Sequence, residues 1–305
     1  MGSEFELIRR ITEKFTSNRF VIVGPGDDAA VLDVDGSKIA IATDVAVEKV
    51  HFKSKWLTPI ELGQRIVAQN LADIVAMSAT PIAITASVAA PIHTEPTWFE
   101  ALAVGMQAEC DVVGASVVGG DLSTATEISI SVTAIGVFSH EPVVRSGAAP
   151  QQIVGLAGTL GYSAAGLHCL QTGHSSPRKF VENFRVPKPP YQAGINAASH
   201  ARSMIDISDG LISDAFHIAS ASNLQIHINS DAIKPSDEMS ALASAMSVDA
   251  REWILHGGEE HSLLATFDTA RDLPSGFRPI GRTESGVPGV FVDGERIDPK
   301  GFTHF

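Results

Sequence analysis

Residues 38–47 read KIAIATDVAV and residues 59–79 read PIELGQRIVAQNLADIVAMSA, a β-rich run followed by a long helical one. The helix has a clear start. Thr58 stands at the N-cap position, Pro59 in the first turn and Glu61 three residues after the cap, the spacing of a capping box. Ile60, Ile66, Val67, Leu71, Ile74 and Val75 recur with a helical period. Asp73 falls near the end of this helix, where a carboxylate opposes the macrodipole, so helix stability does not explain it. Outward from this pair the pattern continues to residue 138, where EISISVTAIGVF (127–138) alternates as a strand.

Residues 139–152, SHEPVVRSGAAPQQ, are rich in Pro, Gly and Ser and read as a crossing between domains, with the boundary near residue 148. Domains of 1–148 and 149–305 are therefore expected. The second opens with a strand in QQIVGLAG and a helix in YSAAGLHCLQTG that ends at Gly173. Residues 178–194 read as irregular. SMIDISDGLISDAFHIASASN (203–223) is a second strand-turn-helix unit, with Ser208 as candidate N-cap and Leu211, Ile212, Ala215, Phe216 and Ala219 as its buried stripe. Thr283 to Gly289 reads as a loop. The class expected is α/β of the α+β type: an N-terminal mixed sheet with flanking helices, then a C-terminal α/β domain.

Composition narrows the function. The chain has 305 residues, 44% hydrophobic and 19% charged, which suits a soluble two-domain protein. Its 22 basic against 35 acidic residues give a formal charge of −13, which opposes binding to nucleic acid or an anionic membrane. MGSEFELIRR has no apolar signal core, Glu6 breaks the myristoylation pattern, and no run approaches ~20 apolar residues. A cytoplasmic protein is expected. Cys110 and Cys169 lie in apolar surroundings without a CxxC partner and read as reduced core thiols.

Seven aspartates sit in small-residue or Gly-containing turns: Asp27, Asp28, Asp44, Asp73, Asp121, Asp206 and Asp209. Taken singly, each is more readily a turn or cap residue. Together they could hold several Mg²⁺ ions against a polyphosphate, because Mg²⁺ prefers hard oxygen ligands and uses only one or two carboxylates each. They lie tens of residues apart, so only the fold could bring them together. The chain has no P-loop, no GxGxxG after a strand, no nucleophile elbow and no HExxH. Arg145, at the domain crossing, could grip phosphate as a fork or be a solvated surface residue. His51, seven residues after Asp44, is more readily structural unless it joins the same cluster. Gly257-Gly258-Glu259-Glu260 sets two carboxylates after two glycines, as in a loop that approaches a ligand closely.

GPGDDAAVL, TD..VE.VHF, N.AD..AMSATP, GGD, VRSGA, TLGYS..GL, DISDGL and GGEE occur in an order that resembles the thiamine-monophosphate kinases of the aminoimidazole ribonucleotide synthetase superfamily, from SEFELI at 3–8 to GFTHF at the C-terminus. The resemblance implies Mg²⁺-dependent transfer of the γ-phosphoryl group of ATP to thiamine monophosphate, a step of thiamine diphosphate biosynthesis. It implies a homodimer paired through the N-terminal sheets and ligands in a cleft between the domains. It assigns Asp27, Thr43, Asp44, Asp73, Asp121, Asp206 and Asp209 to metal, and Gly120, Asp121, Arg145 and Ser208 to nucleotide. His51, Glu259, Glu260 and Phe302 fall on substrate positions, with Asp209, Asp121 and Arg145 nearest the transfer. The chain departs from the family at Lys49 (Gly), Ala72 (Ser), Gln151-Gln152 (Gly-Asp) and Gly257 to Ser262, where GGED-Tyr-Glu becomes GGEE-His-Ser. The alternatives are another superfamily member, such as a formylglycinamidine ribonucleotide ligase or a selenophosphate synthetase, though no reactive cysteine lies near the N-terminus. A nucleotide-binding regulator that has lost catalysis would lack metal acids, which are all retained.

Overall fold

A computed structural model describes residues 21–23, 27–34, 36–174 and 177–300. The first half comprises β1 (Val21–Val23), β2 (Ala30–Val34), β3 (Ser37–Val47), α1 (Pro59–Ala76), β4 (Thr80–Ala90), α2 (Pro96–Val113), β5 (Ser116–Thr124) and β6 (Ser129–Val137). Its strands form one mixed sheet in the order β1-β2-β3-β6-β4-β5; only β4 and β5, joined through α2, run parallel. Alternation along β6 sends Ile130, Val132 and Ala134 into the core.

The second half comprises β7 (Ile153–Ala157), α3 (Tyr162–Thr172), α4 (Arg178–Arg185), α5 (Tyr191–Asn196), β8 (Ala201–Ile207), α6 (Leu211–Ala221), β9 (Gln225–Ile228), α7 (Asp237–Ala245), α8 (Ala250–His256), β10 (Ser262–Phe267), β11 (Phe277–Glu284), β12 (Gly289–Val292) and β13 (Glu295–Ile297). The sheet order is β13-β12-β9-β11-β7-β10-β8, with β9 and β12 parallel and the other neighbours antiparallel. All six residues of β10 are buried, as expected of a strand covered on both faces. Leu263, Ala265 and Phe267 join the core that holds α1, while Leu264 joins a second core with α6 and α8.

Helix α1 is central. Its capping box forms as expected: the Thr58 hydroxyl accepts from Glu61 N–H, and the Glu61 carboxylate accepts from Thr58 N–H. Such a cap is worth about 1 kcal/mol. Ile66, Leu71, Ile74 and Val75 are buried, and the helix packs against both β3 and β6 of one sheet and β8 of the other. Its Asn70 and Asp73 therefore lie between the two sheets.

Three expectations are corrected. Residues 178–194 are not irregular, because Phe180, Val181 and Phe184 give α4 a buried face at helical spacing, and Pro187, Pro189 and Pro190 separate it from α5. Ser208 does not cap α6. Gly210 occupies the cap position at φ +105°, where an added Cβ would strike the His256 backbone at 2.8 Å. Thr283 lies buried inside β11 rather than at the start of a loop.

Candidate active site

Four-residue spacing puts Arg65, Gln69 and Asp73 on one side of α1, and all three line a cleft of about 1110 Å³. The first half adds Asp44 and His51 to its walls; the second adds Asp206, Ser208, Asp209, Glu259 and His261. Buried Asn70 fixes the β3 wall: its Oδ1 accepts the Asp44 N–H at 3.1 Å, and its Nδ2 donates to Ile66 O at 2.7 Å.

Asp28, Asp73 and Asp206 approach until a carboxylate oxygen of each lies within 4.8 Å of the others. They come from the segment before β2, the last turn of α1 and the end of β8, so chain topology performs the convergence that sequence spacing left open. Arg145, in a 3-10 turn over Arg145–Gly147, closes one side. Its Nη2 donates to Asp28 Oδ1 at 2.9 Å, its Nε to Asp28 Oδ2 at 3.2 Å, and its backbone N–H to Asp27 Oδ2 at 3.0 Å. Ser222, at the C-terminal end of α6, anchors the turn by donating to Arg145 O at 2.8 Å.

Burial dominates the electrostatics of this cluster. It pushes the Asp28 carboxyl up to about 8 despite the Arg145 guanidinium. Burial, then repulsion from Asp44, Asp206 and Asp28, raises Asp73 well above the carboxylate range. Burial also raises Asp27 and Asp44. Packed carboxylates with upward shifts ask for added positive charge. The donors are all hard oxygens, which is the chemistry of a Mg²⁺ site rather than one for a thiophilic metal.

The loop 257–261 divides the work of its acids. Gly258 lets it pass Ser208, whose carbonyl an added Cβ would meet at 2.2 Å. Glu259, at φ +62°, lines the cleft and pairs with Arg65. Glu260 turns inward, 2% exposed, and accepts from the Ser163 N–H at 2.9 Å, from Thr159 Oγ1 and from Asn183 Nδ2 at 3.3 Å. Its carboxylate thus occupies the N-terminus of α3, an end that favours an anion. His261, also buried, shares a 2.9 Å hydrogen bond between Nδ1 and Asp206 Oδ2, and its Nε2 has no hydrogen-bond partner among the described residues.

Of the residues singled out in the sequence, Asp44, Asp73, Asp206, Ser208, Asp209, His51 and Glu259 come together in the cleft, with Asp27 and Arg145 beside Asp28. His51 lies in the turn after β3, and its Nδ1 accepts the Val47 N–H at 3.0 Å, so Nε2 carries the proton. Thr43 is exposed while its neighbours Ala42 and Asp44 point inward; its hydroxyl donates to Val132 O at 3.0 Å, so the side chain stands on the opposite face of β3 from Asp44. Gly120 and Asp121 lie on the exposed edge strand β5 and are not among the described residues that line the cleft. Glu260 faces away from it. Phe302 lies outside the described residues, although Lys300 reaches Glu252 of the cleft wall at 3.5 Å.

Sequence reading missed Arg65, Gln69, His261 and Asp214. A signal existed for the first two: polar residues four apart, in register with Asp73, interrupt an otherwise apolar helix. Asp214 stands in the quoted DISDGLISD segment; its buried Oδ2 accepts the Asp209 N–H at 3.0 Å and sets the turn that presents Asp209.

Known proteins share this architecture. Residues 26–138 match the family model of AIR synthase related protein, N-terminal domain. A thiamine-monophosphate kinase of Mycobacterium tuberculosis (strain CDC 1551 / Oshkosh) is 39% identical over 295 residues, 96% of this chain and 88% of the relative. The enzyme of that name from Corynebacterium glutamicum is 40% identical over 291 residues, 92% of this chain and 85% of its own. The solved structure of AaThiL complexed with AMPPCP and TMP superposes with a TM-score of 0.90 at 31% identity, covering 99% of this chain and 97% of that one. The crystal structure of thiamine monophosphate kinase from Aquifex aeolicus gives 0.86 at 30%, covering 97% of each chain. With the cleft, its convergent acids and full-length similarity of this degree, the chain belongs to the thiamine-monophosphate kinase family.

Proposed function

We propose that the cleft transfers the γ-phosphoryl group of ATP to thiamine monophosphate, giving thiamine diphosphate. The observation that carries this reading is the convergence of Asp28, Asp73 and Asp206 within 4.8 Å at a cleft large enough for two ligands. A relative's structure holds both AMPPCP and TMP, which supports the reading that this fold takes two ligands. Asp28, Asp73 and Asp206 would hold Mg²⁺, with Asp27, Asp44 and Asp209 beside them. Bound there, Mg²⁺ supplies charge neutralisation between two anionic phosphate groups. Thr43 drops out of the side-chain ligand set.

The chain's own groups do the positioning. Arg145, now held by Asp28, is the guanidinium nearest the acids and would meet the polyphosphate as a fork. Ser208 and Asp209 present the turn before α6 to the cleft. His51 would donate from Nε2, and Glu259 would face the cationic heterocycle of thiamine. The acceptor needs no strong base, since a phosphate monoester has a second pKa of about 6 and is mostly dianionic at neutral pH. Transfer is then alignment plus charge stabilisation, in one displacement without a phosphoenzyme.

The uncovered face and edge of the first sheet expose Val45, Ile82, Val118 and Leu122, which fits pairing with a second copy. Among the described residues no helix is long and apolar enough to cross a membrane. The charge of −13 opposes nucleic-acid partners, and a cytoplasmic enzyme is the reading we keep. The test is thiamine diphosphate formation from thiamine monophosphate and ATP by the purified protein, with and without Mg²⁺. Product only with Mg²⁺ is expected. ATP binding without product would redirect the reading to another acceptor.

A further inference from the structure

Arg65 is a cation inside a helix whose other inward residues are mostly apolar, and its side chain is 5% exposed. A buried guanidinium is costly unless its donors are taken. Here Nη1 donates to Phe184 O at the end of α4, Nη2 pairs with Glu259 Oε2, and the guanidinium carbon lies 4.4 Å from the Phe184 ring centroid. One side chain of the first half thus holds two elements of the second. Glu259 needs holding: its backbone is left-handed, its side chain is 40% exposed to the cleft, and the one backbone hydrogen bond at its N–H goes to Ser208 O at 2.7 Å. Arg65 grips Oε2 from behind and so fixes the direction in which Oε1 is presented.

We propose that Arg65 is a positioning residue for recognition of the acceptor substrate, acting through Glu259 and independently of the nucleotide and its cations; this rests on the reading of Glu259 as a substrate contact. Lysine would not replace it fully, since a single ammonium lacks the planar fork that reaches Phe184 O and the carboxylate together.

The test is steady-state kinetics of Arg65→Met, Arg65→Lys, Glu259→Gln and the double variant Arg65→Met/Glu259→Gln, each checked by thermal unfolding. Arg65→Met is expected to raise the KM for thiamine monophosphate about tenfold, the worth of one charge-assisted hydrogen bond, with the KM for ATP and the Mg²⁺ dependence unchanged. Arg65→Lys, which keeps the charge and secures a folded comparison, should fall between. The double variant should be no worse than the larger single change, because both remove one unit. Additive effects, or an equal rise in KM for ATP, would overturn the positioning role. If Glu259→Gln raises the KM and neither Arg65 variant does, the positioning role fails alone. If Glu259→Gln changes nothing, the substrate reading of Glu259 fails first.

Discussion

The Arg145 guanidinium lies against Asp28 as a fork, Nη2 to Oδ1 at 2.9 Å and Nε to Oδ2 at 3.2 Å, with the Asp28 side chain 1% exposed. Removing one partner of a buried pair strands the other charge, at a cost of about 3 kcal/mol. Arg145→Gln is therefore expected to lower the melting temperature measured in chelator above pH 8, where Asp28 is ionised. Much of that loss should return with Mg²⁺, which can compensate Asp28 directly. Full stability of the variant in chelator would show that Asp28 is carried protonated and does not need the arginine.

The raised carboxyls set the sign of the pH dependence. Asp28 titrates near 8 in the fold against 3.8 for an ordinary aspartate, so between those values the native state binds more protons than the unfolded chain. Stability then falls as pH rises through this window. Asp27, Asp44, Asp73 and Asp214 shift upward as well and act in the same direction. In chelator, the melting temperature should drop from pH 5 to pH 8, and excess Mg²⁺ should raise it more at pH 8 than at pH 5. A melting temperature that climbs over that range without metal would contradict the burial of these groups.

Asp209 enters the cleft from a turn whose N–H is held by Asp214, so its carboxylate can change without unmaking the turn. Asp209→Asn should leave the melting temperature near that of the parent and reduce kcat on the order of 10²-fold or more. Retention of near-normal kcat would remove Asp209 from the set that serves the transfer.

How much of this was legible in the sequence depends on the range of the signal. Local rules carried α1, because Thr58, Pro59 and Glu61 specify a helix start without help from the rest of the chain. They also carried the Gly173 cap of α3, where φ is +78°. They failed for α4, whose apolar face is only Phe180, Val181 and Phe184 in eight residues flanked by prolines. The acids were legible as a set, yet their grouping was not, since Asp28, Asp73 and Asp206 meet only after two sheets pack on α1. Side-chain direction was the other loss: Thr43 and Asp44 are neighbours in sequence and point to opposite faces of β3. The same alternation of role separates Glu259 from Glu260, which sequence left as an undivided pair.

Two departures from the family pattern share one physical reason. Lys49 and Gln151 stand where the motif resemblance sets glycine, and both have φ of +69°. A left-handed backbone costs an L residue roughly 1–2 kcal/mol, partly offset by the greater freedom glycine has when unfolded. Gln151→Gly should therefore stabilise by about 0.5–1 kcal/mol. The same gain is expected of Lys49→Gly less whatever its surface pair with Glu127 contributes. Thermal unfolding of the two variants decides the matter, and a loss in Gln151→Gly would mean that its side chain makes a compensating contribution.

Glu260 has the opposite character to its neighbour and should behave oppositely under mutation. Its carboxylate satisfies Ser163 N–H, Thr159 Oγ1 and Asn183 Nδ2 in a space from which water is excluded. Alanine would orphan Ser163 N–H and Thr159 Oγ1 and leave Asn183 Nδ2 with only Ser163 Oγ, and with about 1–3 kcal/mol for each unmade buried bond and incomplete additivity, a loss of about 3 kcal/mol is expected. Glutamine keeps one acceptor oxygen and turns its NH2 toward a donor, so it breaks part of this set but less of it than alanine does. Glu260→Gln should accordingly lose less stability than the alanine variant, with KM for thiamine monophosphate close to the parent's. A large KM increase in Glu260→Gln at unchanged melting temperature would place this carboxylate in substrate contact and reverse the assignment to the α3 N-terminus.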